Sequence, residues 1–169
     1  MKKMELDSKY LTTKCEDFDF TNPSVDPIVL AQDLVKLMRD LGGLGLAANQ
    51  CGITYRVFAM RSDPNKVLYN PRIVWESDEM ISLQEGCLSF PGLFVKIKRP
   101  RHCKVRYTQP NGETLTETFT GQTARVVFHE IDHLDGILFF NRAHRYHRER
   151  ALKNRKKYFS SNQPSEITI

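Results

Sequence analysis

No stretch of this chain approaches the 18 consecutive apolar residues of a membrane-crossing helix, so no membrane role is expected. The opening Met-Lys-Lys-Met-Glu-Leu-Asp has basic residues but no apolar core, and acids follow at once, so neither a secretory signal nor a transit peptide is expected. Cysteine is scarce. Cys15, Cys51, Cys87 and Cys103 would permit two disulfides, but nothing points to an oxidising compartment. They are read as reduced thiols of a cytoplasmic protein, free to act as ligands. Internal repeats and an interdomain linker are also missing, so residues 1–169 are expected to form a single catalytic domain, with a core over about 25–142 and a basic tail over about 142–169. The run Gly43-Leu44-Gly45-Leu46-Ala47-Ala48-Asn49-Gln50 lacks the third glycine of a dinucleotide-binding fingerprint, and no strand signal precedes it.

What is present begins with charge. The net charge is +5, yet residues 142–157 alone carry eight Lys/Arg against the single acid Glu149, so the remainder is slightly acidic. A basic end on a near-neutral domain is attracted to anionic partners, RNA in a ribosome foremost; a solvated terminal helix explains it as well. Nothing suggests a DNA partner.

Asp26-Pro27 reads as an N-cap followed by proline in the first helical turn. Leu30, Leu34, Leu37, Met38 and Leu41 follow at helical spacing until Gly42-Gly43, which predicts a long helix over 27–41. Short strands are expected over 55–60, 67–75, 80–84, 94–98, 103–109 and 113–119. The turn signals between them include Asn70-Pro71 and the hairpin signal Pro110-Asn111-Gly112. Residues 1–25 show no strong period and are expected to run over the surface, with room for a short strand. The fold class is therefore α+β, with short antiparallel strands around a central helix and a second long helix near the N-terminus.

That central helix carries the chemistry. Ala124, Val127, Phe128, Ile131 and Leu134 recur at three- and four-residue spacing between Gly121 and Gly136. Within it stands His129-Glu130-Ile131-Asp132-His133. Histidines four apart share one helix face, their β-carbons about 6 Å apart, which suits two ligands on one metal ion. A glutamate after the first histidine is placed to act as general base in a hydrolytic site. A core histidine pair held by hydrogen bonds is the plain alternative.

A catalytic site of this kind wants a third protein ligand. The extended protease motif would need histidine where Phe139 stands, and the downstream Glu149 and Glu166 lie in poor places for a rigid ligand. Cys87, between Gly86 and Leu88, is the better candidate, although a free cysteine is more often a small buried hydrophobe. Likewise Gln50, after the small-residue run, either reaches a ligand or belongs to a tight turn.

Taken together, Gly43 to Gln50, Glu85-Gly86-Cys87-Leu88-Ser89 and His129 to Gly136 match, in order, three motifs of the peptide deformylases, and over about residues 25–142 the chain resembles that family. The resemblance implies that Cys87, His129 and His133 bind one divalent metal, usually iron(II), with zinc, nickel or cobalt able to replace it. It implies that Glu130 moves the proton and that the Gln50 amide and the Leu88 backbone N–H hold the developing oxyanion. Backbone groups of Leu44, Gly45 and Gly86 would align the substrate. The implied reaction removes the formyl group from N-formylmethionine of nascent polypeptides and releases formate. Val126, one turn before His129, is expected to line the methionine pocket, and Glu85 and Arg99 to pair behind the metal-binding strand. Asn49 and Phe128 depart from the family's common proline and glutamine. A zinc endopeptidase of the H-E-x-x-H kind would leave two of the motifs unexplained, and a basic ribosome- or RNA-binding domain with a structural metal would want a fourth protein ligand, for which Cys51 and Cys103 lack the spacing.

Overall fold

The computed structural model describes residue 4 and residues 6–161; Glu166 and the end of the polar stretch after Ser160 lie outside them. The long helix α1 spans Pro27–Asp40, and its start is the one read from sequence: the Asp26 side chain accepts from the N–H groups of Ile28 and Val29. A short edge strand β1, Gly45–Ala47, and a single 3-10 turn, Ala48–Gln50, follow. Strands β2 (Val57–Met60), β3 (Lys66–Glu76), β4 (Met80–Glu85), β5 (Val95–Pro100), β6 (His102–Thr108) and β7 (Thr114–Thr120) precede helix α2, Gln122–Leu134. A second 3-10 turn, Phe139–Arg142, leads into α3, Arg145–Ser161.

The strands form two antiparallel sheets, one ordered β1-β2-β3-β6-β7 and the other a β4–β5 pair. Helices cover both faces of the larger sheet around β2, and the alternation of side chains shows how. Val57 and Ala59 point to α1, where Leu30, Ala31, Leu34 and Met38 complete one core. Phe58 and Met60 point the other way, into a second core closed by Ala124, Val127, Phe128, Ile131 and Leu134 of α2. All four β2 residues are therefore buried. Each large aliphatic side chain so buried contributes roughly 1.5–3 kcal/mol. Phe128 thus serves as a core residue, and α2 is central because it packs between the sheet and the β4–β5 pair.

Two sequence expectations are corrected. Asn70-Pro71 is no turn between strands; it lies inside β3, where the β3–β6 register shifts. Asn70 takes φ +50°, as asparagine tolerates, and the proline sits at an irregularity where a missing N–H is harmless. The freed Asn70 side chain accepts from Phe18 N–H (2.7 Å) and donates to Phe18 C=O (2.9 Å). The segment before α1, expected on the surface, is consequently anchored, with Leu11, Cys15 and Phe18 buried. It has no period because it follows the sheet edge through isolated bridges of Asp7 with Cys51 and Glu16 with Tyr55, without forming a strand.

Candidate metal centre and active site

The three motifs, far apart in sequence, meet at the exposed edges of the two sheets. Helix α2 supplies His129 and His133 on one face, their ring centroids 5.0 Å apart. The loop leaving β4 brings Cys87 against them, its Sγ 3.2 Å from His133 Nε2. One ligand atom from each of Cys87, His129 and His133 lies within 4.8 Å of the others. One thiolate with two imidazoles suits a divalent transition metal.

The surroundings act in opposite directions on the two histidines. Burial alone would lower the His129 pKa, but the Cys87 sulfur and the Glu85 carboxylate outweigh it and raise it to about 10. Burial, and then the neighbouring His129 cation, lower His133 to about 3, so that ring is neutral and free to ligate. Glu85 accepts from His129 Nδ1 at 3.0 Å, which turns the other ring nitrogen toward the cluster.

Behind this shell lies a buried charge network. Arg99 grips Glu85 with two hydrogen bonds of 2.6 and 3.0 Å, the pairing expected from sequence, and also donates to Asp132 at 2.8 Å. Arg125 adds a bond to Glu85 at 2.6 Å, and Arg142 adds one to Asp132 at 2.7 Å. Sequence reasoning missed Arg125, Asp132 and Arg142. Asp132 carries the hint, a charge inside an amphipathic helix that would be costly to bury alone.

Glu130 lies beside the cluster, buried against β1. Desolvation, and then the nearby Glu85 carboxylate, outweigh the pull of His129 and raise its carboxyl to about 7. Its Oε2 has no hydrogen-bond partner among the described residues. Gly45 leaves it room: a side chain there would overlap the carboxylate. The Gln50 amide is oriented by its own neighbours. Its oxygen accepts from Ala47 N–H at 2.9 Å, so its NH2 faces Ser89 Oγ (2.9 Å) and Cys87 Sγ (3.6 Å). Ser89 was not foreseen. Asn49, the departure beside Gln50, is fully buried and donates to His133 C=O at 2.6 Å and Tyr10 C=O at 3.2 Å. No proline could make those bonds.

A cavity of about 510 Å³ opens onto the cluster and contains every residue singled out for substrate from sequence: Leu44, Gly45, Gly86, Leu88 and Val126 line it, with Gln50, Cys87, His129 and Glu130. His133 is set behind them.

Fold and site together define a metal-dependent hydrolase, with a Cys-His-His cluster at the end of a small-residue cavity. A family model described as polypeptide deformylase matches residues 2–149, and the chain belongs to that family. It is 42% identical over 114 residues to a peptide deformylase of Pseudothermotoga lettingae, covering 68% of this chain and 67% of that one. With a peptide deformylase of Parafrankia it shares 39% over 137 residues, 80% and 75% of the two chains. Among solved structures, the peptide deformylase from Synechococcus elongatus in complex with actinonin matches with a TM-score of 0.83 at 29% identity, covering 96% of this chain and 92% of that one. The Thermus thermophilus peptide deformylase matches at 0.82 and 31%, covering 94% and 95%. The chain is therefore a peptide deformylase by family, an enzyme that takes the formyl group from nascent peptides.

Proposed function

We propose that deformylation of N-formylmethionyl peptides occurs in the cavity over Cys87, His129 and His133, with Glu130, Gln50 and Leu88 as the reacting neighbours. The observation that carries this is that five of the six line one cavity, with His133 set directly behind them in the same ligand cluster. A divalent ion held by the cluster would supply a nucleophilic water at neutral pH and polarise the formyl oxygen. Glu130 would accept the proton of the attacking water and return it to the leaving amine; a carboxyl titrating near neutrality suits both transfers. The Gln50 NH2, turned toward the cluster, and the Leu88 backbone N–H donate to the oxygen as it gains charge. An extended peptide fits between the free edge of β1 and the unpaired edge of β4, aligned by backbone groups of Leu44, Gly45 and Gly86. Its methionine side chain then enters beside Val126.

Incubation of anaerobically purified protein with formyl-Met-Ala-Ser tests this. Formate together with a peptide lighter by one formyl group is expected, and Glu130→Gln is expected to lower turnover at least about 100-fold. Internal cleavage would instead point to an endopeptidase.

For the resident metal we propose iron(II), on the family resemblance; the donor set serves zinc, nickel and cobalt as well. The iron-loaded protein should lose activity faster in air than under argon, through oxidation of the metal or Cys87. Equal half-lives would refute this. The four cysteines are all free, which supports work in a reducing cytoplasm. No helix among the described residues is long and apolar enough to cross a membrane. The exposed bases of α3 support a contact with ribosomal RNA, expected as an affinity that falls steeply with salt and disappears when residues 142–169 are removed.

A further inference from the structure

Helix α3 looks from its sequence like a uniformly basic, solvated rod, but one of its arginines faces inward. Arg155 donates from Nε to the Pro91 carbonyl at 3.0 Å, and its guanidinium lies 5.9 Å from the Phe90 ring centroid and 5.2 Å from that of Phe159. Beside it, Tyr158 packs on Gly92, so closely that a β-carbon on that glycine would come within 3.0 Å of the Tyr158 ring. One turn earlier, Ala151 and Leu152 join the apolar cluster that contains Cys87 and Phe90. The helix is thus bound to the loop that carries the cysteine.

On its inner side the loop is held by the Gln50–Ser89 hydrogen bond, by Leu88 against the α1 core and by the buried Leu93; on its outer side α3 holds it. Its internal ties are two turn bonds, Phe90 N–H to Cys87 C=O at 3.0 Å and Leu93 N–H to Phe90 C=O at 3.1 Å. The first makes Cys87 and Phe90 move together. Phe90 lies between Phe140 (5.3 Å) on the inner side and the Arg155 guanidinium. A planar cation that lies over one ring and donates to the carbonyl of the next residue restrains both the ring and the backbone, which lysine does only in part.

We propose that Arg155 is a positioning residue for the metal centre. By clasping Phe90 and Pro91 it holds Cys87 at the distance from His129 and His133 that a metal ion requires. The proposal rests on the metal-centre reading above. It gives α3 two faces, one that holds the ligand loop and one, with Arg150, Lys153 and Lys156, that is open to anionic partners.

Cobalt-loaded full-length protein tests it without relying on turnover. The thiolate-to-cobalt absorption band and the rate of cobalt loss to EDTA would be measured for the wild type, Arg155→Met, Arg155→Lys and Lys153→Gln, with circular dichroism as the check on folding. Partners of metal ligands typically cost 10- to 100-fold in metal affinity when lost; Arg155 acts at one remove, so Arg155→Met should release cobalt about three- to tenfold faster and shift the band. Arg155→Lys should fall between it and the wild type, and Lys153→Gln should match the wild type in both. If Arg155→Met does not fold, the same ordering is read from Arg155→Lys against Lys153→Gln. Wild-type release and band in a folded Arg155→Met or Arg155→Lys would overturn the proposal alone. Absence of the band in the wild type would overturn the metal centre and the proposal with it.

Discussion

A methyl group at Gly45 would overlap the Glu130 carboxylate, so the smallest residue of the cavity wall fixes where the proposed base can sit. Gly45→Ala should therefore displace Glu130 and lower kcat about 100-fold, the usual result of misplacing a reacting group by about 1 Å. Steady-state kinetics with formyl-Met-Ala-Ser would show it, and an unchanged kcat would mean that Glu130 is not needed at this place. Gln50→Leu removes a donor without charge, together with the acceptor of the Ala47 N–H and the bond to Ser89. It should cost about 10²- to 10³-fold in kcat with less effect on KM, as loss of one oxyanion donor does elsewhere. An increase in KM alone would make Gln50 a binding residue.

At the scale of elements, Glu85 joins the end of β4 to β5 through Arg99 and to α2 through Arg125 and His129. Both guanidiniums are nearly fully buried. Glu85→Gln leaves them short of negative charge and should destabilise the protein by about 3–5 kcal/mol, the cost of breaking a buried ion pair from one side. Urea unfolding would measure this, with Glu79→Gln as a control, because the Glu79–Arg101 pair is solvent-exposed. A Glu85→Gln midpoint equal to that of the control would show that the network contributes no stability. Such ties also mark what the sequence could and could not disclose. Both helices that build the cores were legible from period and caps, and the ligands from H-E-x-x-H and the Glu-Gly-Cys motif. The Asn111-Gly112 hairpin and the Glu85–Arg99 pair were legible too. Arg125 and Asp132 were not: Arg125 meets Glu85 40 residues away, Asp132 meets Arg99 33 residues away and Arg142 ten away, and a charge on a buried face has no local signature. The bulge at Asn70 read as a turn because a strand irregularity and a turn use the same residues. The anchoring of Phe18 could not be foreseen without it.

For the whole molecule, the buried acids that are neutral matter as much as the paired ones. Cys15, from the segment before α1, and Cys103, from β6, lie in the same core as α2, and burial raises their thiols to about 11 and about 12. Cys51, beside the 3-10 turn, is raised to about 12 by burial. The buried phenols of Tyr69 and Tyr107 are raised as well, again chiefly by burial. In each case the folded state holds its proton more tightly than the unfolded chain. The stabilisation is then complete below the thiols' unfolded value of 9.0 and is lost as pH rises from there through about 11 to 12. The thiols should thus add no slope to the urea midpoint, measured with reductant present, up to about pH 9 and a steep fall above it, beyond the loss that the raised His129 brings between 6.5 and about 10. Net repulsion is not the cause of the first part of that fall, since the sequence pI is about 9.1 and the net charge is then near zero. Cys103→Ala removes one of these protons and should make the fall shallower while lowering the midpoint at pH 8 only modestly. A midpoint unchanged between pH 9 and 11 would show that these side chains ionise without opening the cores. The N-terminal segment, the sheet and α2 would then not unfold as one unit.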